Sequence, residues 1–339
     1  MIDFNGADAF PRRTALKAGL AAGLTGLLLP AISGCTAEER PDTVTVAGGE
    51  PGGFYLEFAG LLAESLQRHG GAGQATALTT GGSLDNLELL LSGKATFAVA
   101  LSDSAAQRVA AGDATTVGIS AVGKVYENYV HCVVRKESGI RNIAGLASRT
   151  VAVGEPGSGT SLTTPRLIEA AGLTSAAVGA GSEASSPGTV TVLNLGLNEG
   201  LAALQNGSVD ALFWSGGVPT AAIAAAHSDA GLSLLDLSPL LPALRAKHGL
   251  FYDRVLIPEG AYPGIPAVWT VGVANLLLCR SDADSRTVKK TVEILVGHAE
   301  ELVPRSSLGV QFLSPESLIN TPGLPLHPAA AAAYRELHG

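Results

Sequence analysis

Three glycine-rich segments, GGEPGGFY (48–55), TGGSLDN (80–86) and GEPGSGTS (154–161), each stand where a strand-like run gives way to a helix-like one. That repeated order of strand, turn and helix points to an α/β architecture. TVTVA (43–47) precedes the first turn, and Phe58, Leu61, Leu62, Ser65 and Leu66 follow it at helical spacing. Leu84, Leu87 and Leu91 mark a second helical face, and ATFAVAL (95–101) reads as a buried strand. A second round follows: TVAVG (150–154), a helix near 160–171, TVLNLG (191–196), a helix with Leu201 and Leu204, and VDALFW (209–214). Two α/β units are therefore expected. YVHCVVRK (129–136) and VWTVGVANLLLCR (268–280) are long enough to run from one unit into the other, as hinge strands. The stretch 175–188, rich in Ala, Gly and Ser, reads as a surface loop. In open α/β sheets, ligands bind at the strand ends that such turns occupy.

The chain has 339 residues, 46% hydrophobic and 15% charged, enough for two domains with their own cores. Its net charge of -8 offers no basic stripe for nucleic acid. Residues 1–34 read as an export signal: Arg12 and Arg13 precede an uncharged run from Ala18 to Gly34, in the manner of a twin-arginine leader. The run is short for a membrane span, which needs roughly 20 apolar residues. Ile32, Ser33, Gly34 and Cys35 resemble a lipobox, so Cys35 is expected to accept diacylglycerol and become the new N-terminus. Residues 35–42 then form a short polar tether. The body is expected outside the cytoplasmic membrane, in the periplasm or on the membrane's outer face, held by its lipid.

A turn such as Gly157, Ser158, Gly159 and Thr160, leading into a helix, offers backbone N–H groups and hydroxyls at the positive end of the helix dipole, a setting for an anion. Phosphate is disfavoured, because GEPGSGTS lacks the P-loop lysine and no turn matches a dinucleotide fingerprint. No G-x-S-x-G supports a serine hydrolase, and the seven histidines include no H-E-x-x-H and no i, i+4 pair. No catalytic residue, metal or cofactor is expected. Cys132 and Cys279, on the two hinge strands, are either buried thiols or a disulfide. Asp210 reads as a strand-edge residue, and Glu293, Glu300 and Glu301 as a solvated helix face.

In order, these motifs resemble the TAXI family, the solute receptors of one branch of tripartite ATP-independent periplasmic (TRAP) transporters. The likeness covers nearly all of 43–339. It runs through PGGFY (51–55), TTGGSLDNLELLLSGKA (79–95), Ser102 and Asp103, YVHCVVRKESGI (129–140), GEPGSGTS (154–161), VDALFWSGGVP (209–219), AYPG (261–264) and LHPAAAAAYRE (326–336). The resemblance implies a two-lobe, periplasmic-binding-protein-like (type II) fold, with 43–134 and 268–339 as one lobe and 135–267 as the other. The lobes would close on a small carboxylate, a glutamate-like amino acid or another organic acid, for delivery to a multi-spanning permease. The protein is expected to be a monomer. Carried over by motif, the first lobe would contribute Gly52, Gly53, Tyr55, Gly82, Ser83, Asn86, Ser102 and Asp103. The second would contribute Gly157, Ser158, Gly159, Thr160, Ser215, Gly216, Gly217 and Pro219. Asp103 or a backbone carbonyl would take an ammonium group if the ligand is an amino acid. Leu56, Glu57, Leu101 and Asn128 depart from residues frequent in the family, and Leu56 and Leu101 imply a pocket less polar than usual.

Two other readings compete with a transport receptor. A binding module reporting to a membrane sensor kinase would use the same pocket, and a secreted enzyme would fit twin-arginine export. The enzyme reading lacks paired acid and base motifs.

Overall fold

The β-branched run of Thr43–Ala47 forms strand β1, and the chain turns at once into helix α1 (Phe54–Arg68). Phe58, Leu62 and Leu66, four residues apart, lie on one stripe of that helix and are buried against β1 and β2 (Gln74–Leu78). The computed structural model describes residues 41–112, 118–177, 188–305 and 313–338. The leader, Cys35 and most of the tether lie outside the described residues.

Helix α2 (Ser83–Leu91), strand β3 (Phe97–Leu101) and helix α3 (Ser102–Ala110) complete the first round. After the long strand β4 (Ile119–Arg135) come β5 (Thr150–Ala152), α4 (Gly159–Ala170), β6 (Thr174–Ala177), β7 (Thr189–Leu193), α5 (Leu197–Asn206) and β8 (Ala211–Gly216). Helix α6 (Ala221–Ala230), β9 (Leu232–Leu234), α7 (Leu241–His248), β10 (Tyr252–Ile257) and β11 (Val268–Arg280) follow. Helices α8 (Ser285–Gly297), α9 (Pro315–Leu318) and α10 (Pro328–His338) close the described chain.

The strands form a single sheet in the order β2-β1-β3-β11-β4-β8-β5-β7-β6, with β10 added to β11 and β9 to β4. Pairing is parallel at both ends of that order, among β1, β2 and β3 and among β5, β6, β7 and β8. It is antiparallel in the middle, where β11 and β4 meet each other and their neighbours. This is the two-lobe α/β fold that the sequence led us to expect, and the two central strands join the lobes. At about 3.3 Å per residue, the 17 residues of β4 reach roughly 55 Å, long enough to serve both lobes. It pairs with β11 between Ile119 and Tyr129 and with β8 between Tyr129 and Val134.

β4 begins ten residues before the expected Tyr129, because Lys124 and Glu127 interrupt the apolar text. The two side chains neutralise each other at 2.6 Å within the sheet. Another departure is the run expected as a loop from Ser175. Ser175, Ala176 and Ala177 belong to β6, an outermost strand paired only with β7, and 178–187 lie outside the described residues. Three of its four residues are exposed, so no apolar alternation betrayed it. Glu301 departs as well. It is partly buried, accepting hydrogen bonds from Ser65 (3.0 Å) and Arg68 (2.6 Å) at the end of α1 and pairing with His69 (3.0 Å). Cys132 and Cys279 are free, buried thiols, and burial raises the pKa of both.

Candidate functional site

Each of the three turns ends where a helix begins, and the first four N–H groups of a helix lack intrahelical partners. Neither Gly53 at the start of α1 nor Gly82 at the start of α2 provides a side-chain cap. At α4 the Ser158 Oγ accepts from Ser161 N–H at 3.0 Å. The three helix starts converge on a cavity of about 30 Å³. Its wall contains Gly53, Tyr55, Gly82, Ser83, Ser158, Gly159, Thr160, Ser215 and Gly216, all expected from the sequence. It also contains Glu50, Phe54, Gly81, Leu101, Asn128 and Trp214, which the motif reading did not assign to the site. Leu101 and Asn128 had been noted only as departures from the family pattern.

The turns are locked together by backbone bonds. Gly157 O accepts from Leu84 N–H (2.8 Å) and Asp85 N–H (3.2 Å), which joins the second turn to the third. Gly157 has φ of 86°, and a Cβ there would lie 2.1 Å from Asp85 Oδ1, so both its conformation and its position demand glycine. On the first turn, a Glu50 carboxylate oxygen accepts from Leu197 N–H at 2.9 Å, at the start of α5. Polar side chains are oriented from behind. Ser83 Oγ accepts from Leu101 N–H (3.0 Å) and lies 3.4 Å from the Tyr55 hydroxyl, whose pKa burial drives up. Thr160 Oγ1 accepts from Ser215 N–H (3.2 Å), and Asn128 Nδ2 donates to Ser215 O (3.0 Å) and Oγ (3.3 Å).

Seven expected residues stand away from the wall. Gly52 is exposed, and Gly217 packs so closely on Phe54 that a Cβ would lie 2.5 Å from its ring. Pro219 follows a cis peptide bond beyond the cavity, and Gly157 is consumed by the turn-to-turn bonds. Asn86 is a brace: its amide donates to Gly48 O and to Val99 O (2.7 Å) and accepts from Thr80 (2.7 Å). Ser102 is buried behind the wall with an unpartnered hydroxyl. Asp103, expected to meet an ammonium group, is instead engaged by protein donors: Thr163 (3.0 Å), Arg166 (3.1 Å) and Tyr252 (2.9 Å). Arg166 lies 63 residues away on α4, so no local motif could reveal that occupation.

The wall carries the charge of Glu50 and no lysine or arginine among the described residues. Burial raises the Glu50 pKa, the Leu197 N–H bond opposes that, and Glu155 and Glu199 add repulsion. A larger open depression of about 380 Å³ lies at Thr96, Arg280 and Asp282, at the opposite ends of the β3 and β11 strands from the turns. Its guanidinium is already held by Asp282 at 2.7 Å, and it lacks the convergent helix starts. Among the described residues, His69, His298 and Glu301 bring three possible metal-ligand atoms within 4.8 Å of one another. The two imidazoles stack at 3.5 Å and 17°, and His69 Nε2 (3.0 Å) and His298 Nδ1 (3.6 Å) both lie near Glu301 Oε1.

Solved structures share this architecture at low identity. A protein of Bordetella bronchiseptica RB50 is 13% identical, with a TM-score of 0.53 over 88% of this chain and 98% of that one. The periplasmic binding protein BugD is 14% identical, with a TM-score of 0.51 over 88% and 94%. XAC2383 from Xanthomonas citri, solved with a chloride ion, is 13% identical, with a TM-score of 0.50 over 87% and 96%. A family model matches residues 46–337, and on that match the chain belongs to the NMT1-like family.

Proposed function

We propose that this protein is an exported solute receptor of the TAXI type, which captures a small carboxylate between its lobes and hands it to a TRAP permease. The observation that carries the reading is the meeting of three helix starts, from α1, α2 and α4, at one cavity. Aligned N–H dipoles and the hydroxyls of Ser83, Ser158 and Thr160 suit a carboxylate without a cationic side chain. No bond is made or broken in such a cycle. Fold likeness to a periplasmic binding protein and membership of the NMT1-like family support a ligand-binding role in transport. The resemblance of residues 1–34 to a twin-arginine leader and of residues 32–35 to a lipobox supports a body outside the cytoplasmic membrane on a lipid anchor.

A cavity of about 30 Å³ has room for about two waters. A C4 to C6 acid therefore enters only when the lobes, 43–134 with 268–339 and 135–267, part and re-close around it. Closure is then driven by the ligand's higher affinity for the closed form. A thermal-shift panel of C4 to C6 organic and amino acids tests this directly. At about 100 times the dissociation constant, a true ligand stabilises by about 2.7 kcal/mol, a rise on the order of 5 °C in Tm. A flat response across the panel would contradict the receptor reading.

A further inference from the structure

A carboxylate needs donors, yet the cavity wall also presents acceptors. Asn128 is 1% exposed, and its Nδ2 is spent on the two Ser215 oxygens, which fixes the amide and leaves Oδ1 with no partner. Leaving a buried acceptor unpaired costs about 1–3 kcal/mol, so a guest that brings a donor to it gains that amount back. Glu50 lines the same cavity and also the open depression beside it, with Glu155, Asn194 and Glu199. One of its oxygens takes the Leu197 N–H and the other has no protein partner among the described residues. Glu155 and Glu199 add negative potential around it.

The layer beneath holds further buried polar groups, donors as well as acceptors. Leu101, Asn275 and Tyr126 face one another across β3, β11 and β4, so their side chains share one face of the sheet, and Leu101 is in the cavity wall. Both amide atoms of Asn275 and the hydroxyl of Tyr126 are buried without partners. A carboxylate can accept from Asn275 Nδ2 and the Tyr126 hydroxyl, but it leaves the acceptors Asn128 Oδ1 and Asn275 Oδ1 unmet. A second carboxylate would stand near Glu50 with no described cation in the wall to offset the repulsion. Asp103, the acceptor expected from the sequence, is already filled by Arg166, Tyr252 and Thr163.

We propose that Asn128 Oδ1 and Glu50 receive an ammonium group, which makes the guest a small zwitterion carrying a single carboxylate. This inference rests on the carboxylate-receptor reading and narrows it. The helix starts hold the negative end and the two acceptors hold the positive end, so each end of the guest meets its complement. Glu50 then sets specificity, because it attracts the ammonium and repels a second acid group.

Calorimetric titration of the full chain with L-alanine, L-valine and L-leucine, against propionate, 3-methylbutyrate, 4-methylpentanoate, succinate and L-glutamate, tests the proposal. At least one of the three zwitterions is expected to bind tenfold or more tightly than its matched acid and than both dicarboxylates. Glu50→Gln is expected to lose tenfold or more of that affinity and to narrow the gap to succinate. Asn128→Leu is expected to lose a similar factor while melting normally without ligand. Equal or tighter binding of the matched acids or succinate overturns the ammonium assignment and leaves the carboxylate receptor standing. An absence of heat from every probe overturns both. Should either variant fail to fold, the comparison of probes on the unsubstituted chain still decides.

Discussion

Ser158 caps α4 and lines the cavity at once, so its chemistry can be changed without losing the helix. Aspartate is as good an N-cap as serine, and Ser158→Asp therefore keeps the cap while placing a negative charge where a carboxylate would sit. We expect carboxylate affinity to fall at least a hundredfold with Tm of the free protein nearly unchanged, as read by calorimetry and thermal melting. Unaltered affinity would move the anion site elsewhere. Gly159 shows how closely the turns approach: a Cβ there would lie 2.5 Å from Leu101 Cδ1 and 2.7 Å from Ser83 Oγ. At this scale the sequence was legible where a motif is local. Turn chemistry pointed to Ser158, Gly159 and Thr160, because glycine and hydroxyl residues before a helix have a short-range reason to be there, while Gly53, Gly82 and Ser83 came from the family resemblance. Glu50 and Trp214 gave no such signal, since their place in the wall depends on partners more than 100 residues away. Ser102 and Asp103, expected to face the ligand, open α3, and tertiary packing turns them into the protein interior.

The central strands bind several segments together through one histidine. On β4, His131 donates from Nδ1 to Tyr129 O (2.9 Å) and accepts from the Tyr262 hydroxyl at Nε2 (2.9 Å). That hydroxyl in turn accepts from Thr220 N–H (2.8 Å). The arrangement suits a neutral ring, and burial lowers its pKa to about 4 from the ordinary 6.5. Between these values the unfolded chain binds more protons than the fold, so stability falls as pH drops through that window. The loss from this group between pH 7 and pH 5 is about 2 kcal/mol. Urea unfolding of His131→Gln should therefore show a pH dependence about 2 kcal/mol shallower than the unsubstituted chain over that range. Identical slopes would mean that the ring is not held neutral. Both hinge strands were visible in the sequence as long apolar runs, with β11 found over its full length. The first ten residues of β4 were hidden by a charge pair that only the opposed geometry neutralises, and the exposed β6 lacked any burial pattern to read.

Across the whole molecule, one sheet has parallel pairing at both ends and antiparallel pairing at the two long central strands, β4 and β11, that join them. The strand-turn-helix order made that architecture legible, because each local choice agreed with the global plan. What the order did not contain was the degree of closure. The contacts of Gly157 with Leu84 and Asp85, and of Glu50 with Leu197, hold the turns together around a small cavity, which on the proposed reading a C4 to C6 guest must reopen. The leader lies outside the described residues and is tested by chemistry alone: Cys35→Ser should abolish incorporation of labelled lipid, and continued labelling would remove the anchor.

The central claim is that amide hydrogens of the three turns clasp one small carboxylate. Backbone amide NMR of the isotopically labelled protein, titrated with whichever carboxylate raises Tm, measures that clasp most directly. The largest shifts, and slowed hydrogen exchange, are expected on Phe54, Tyr55, Ser83, Gly159 and Thr160, the cavity-lining residues in the first turns of the three helices. Shifts clustered around Thr96 and Arg280, with the turn amides unmoved, would contradict it.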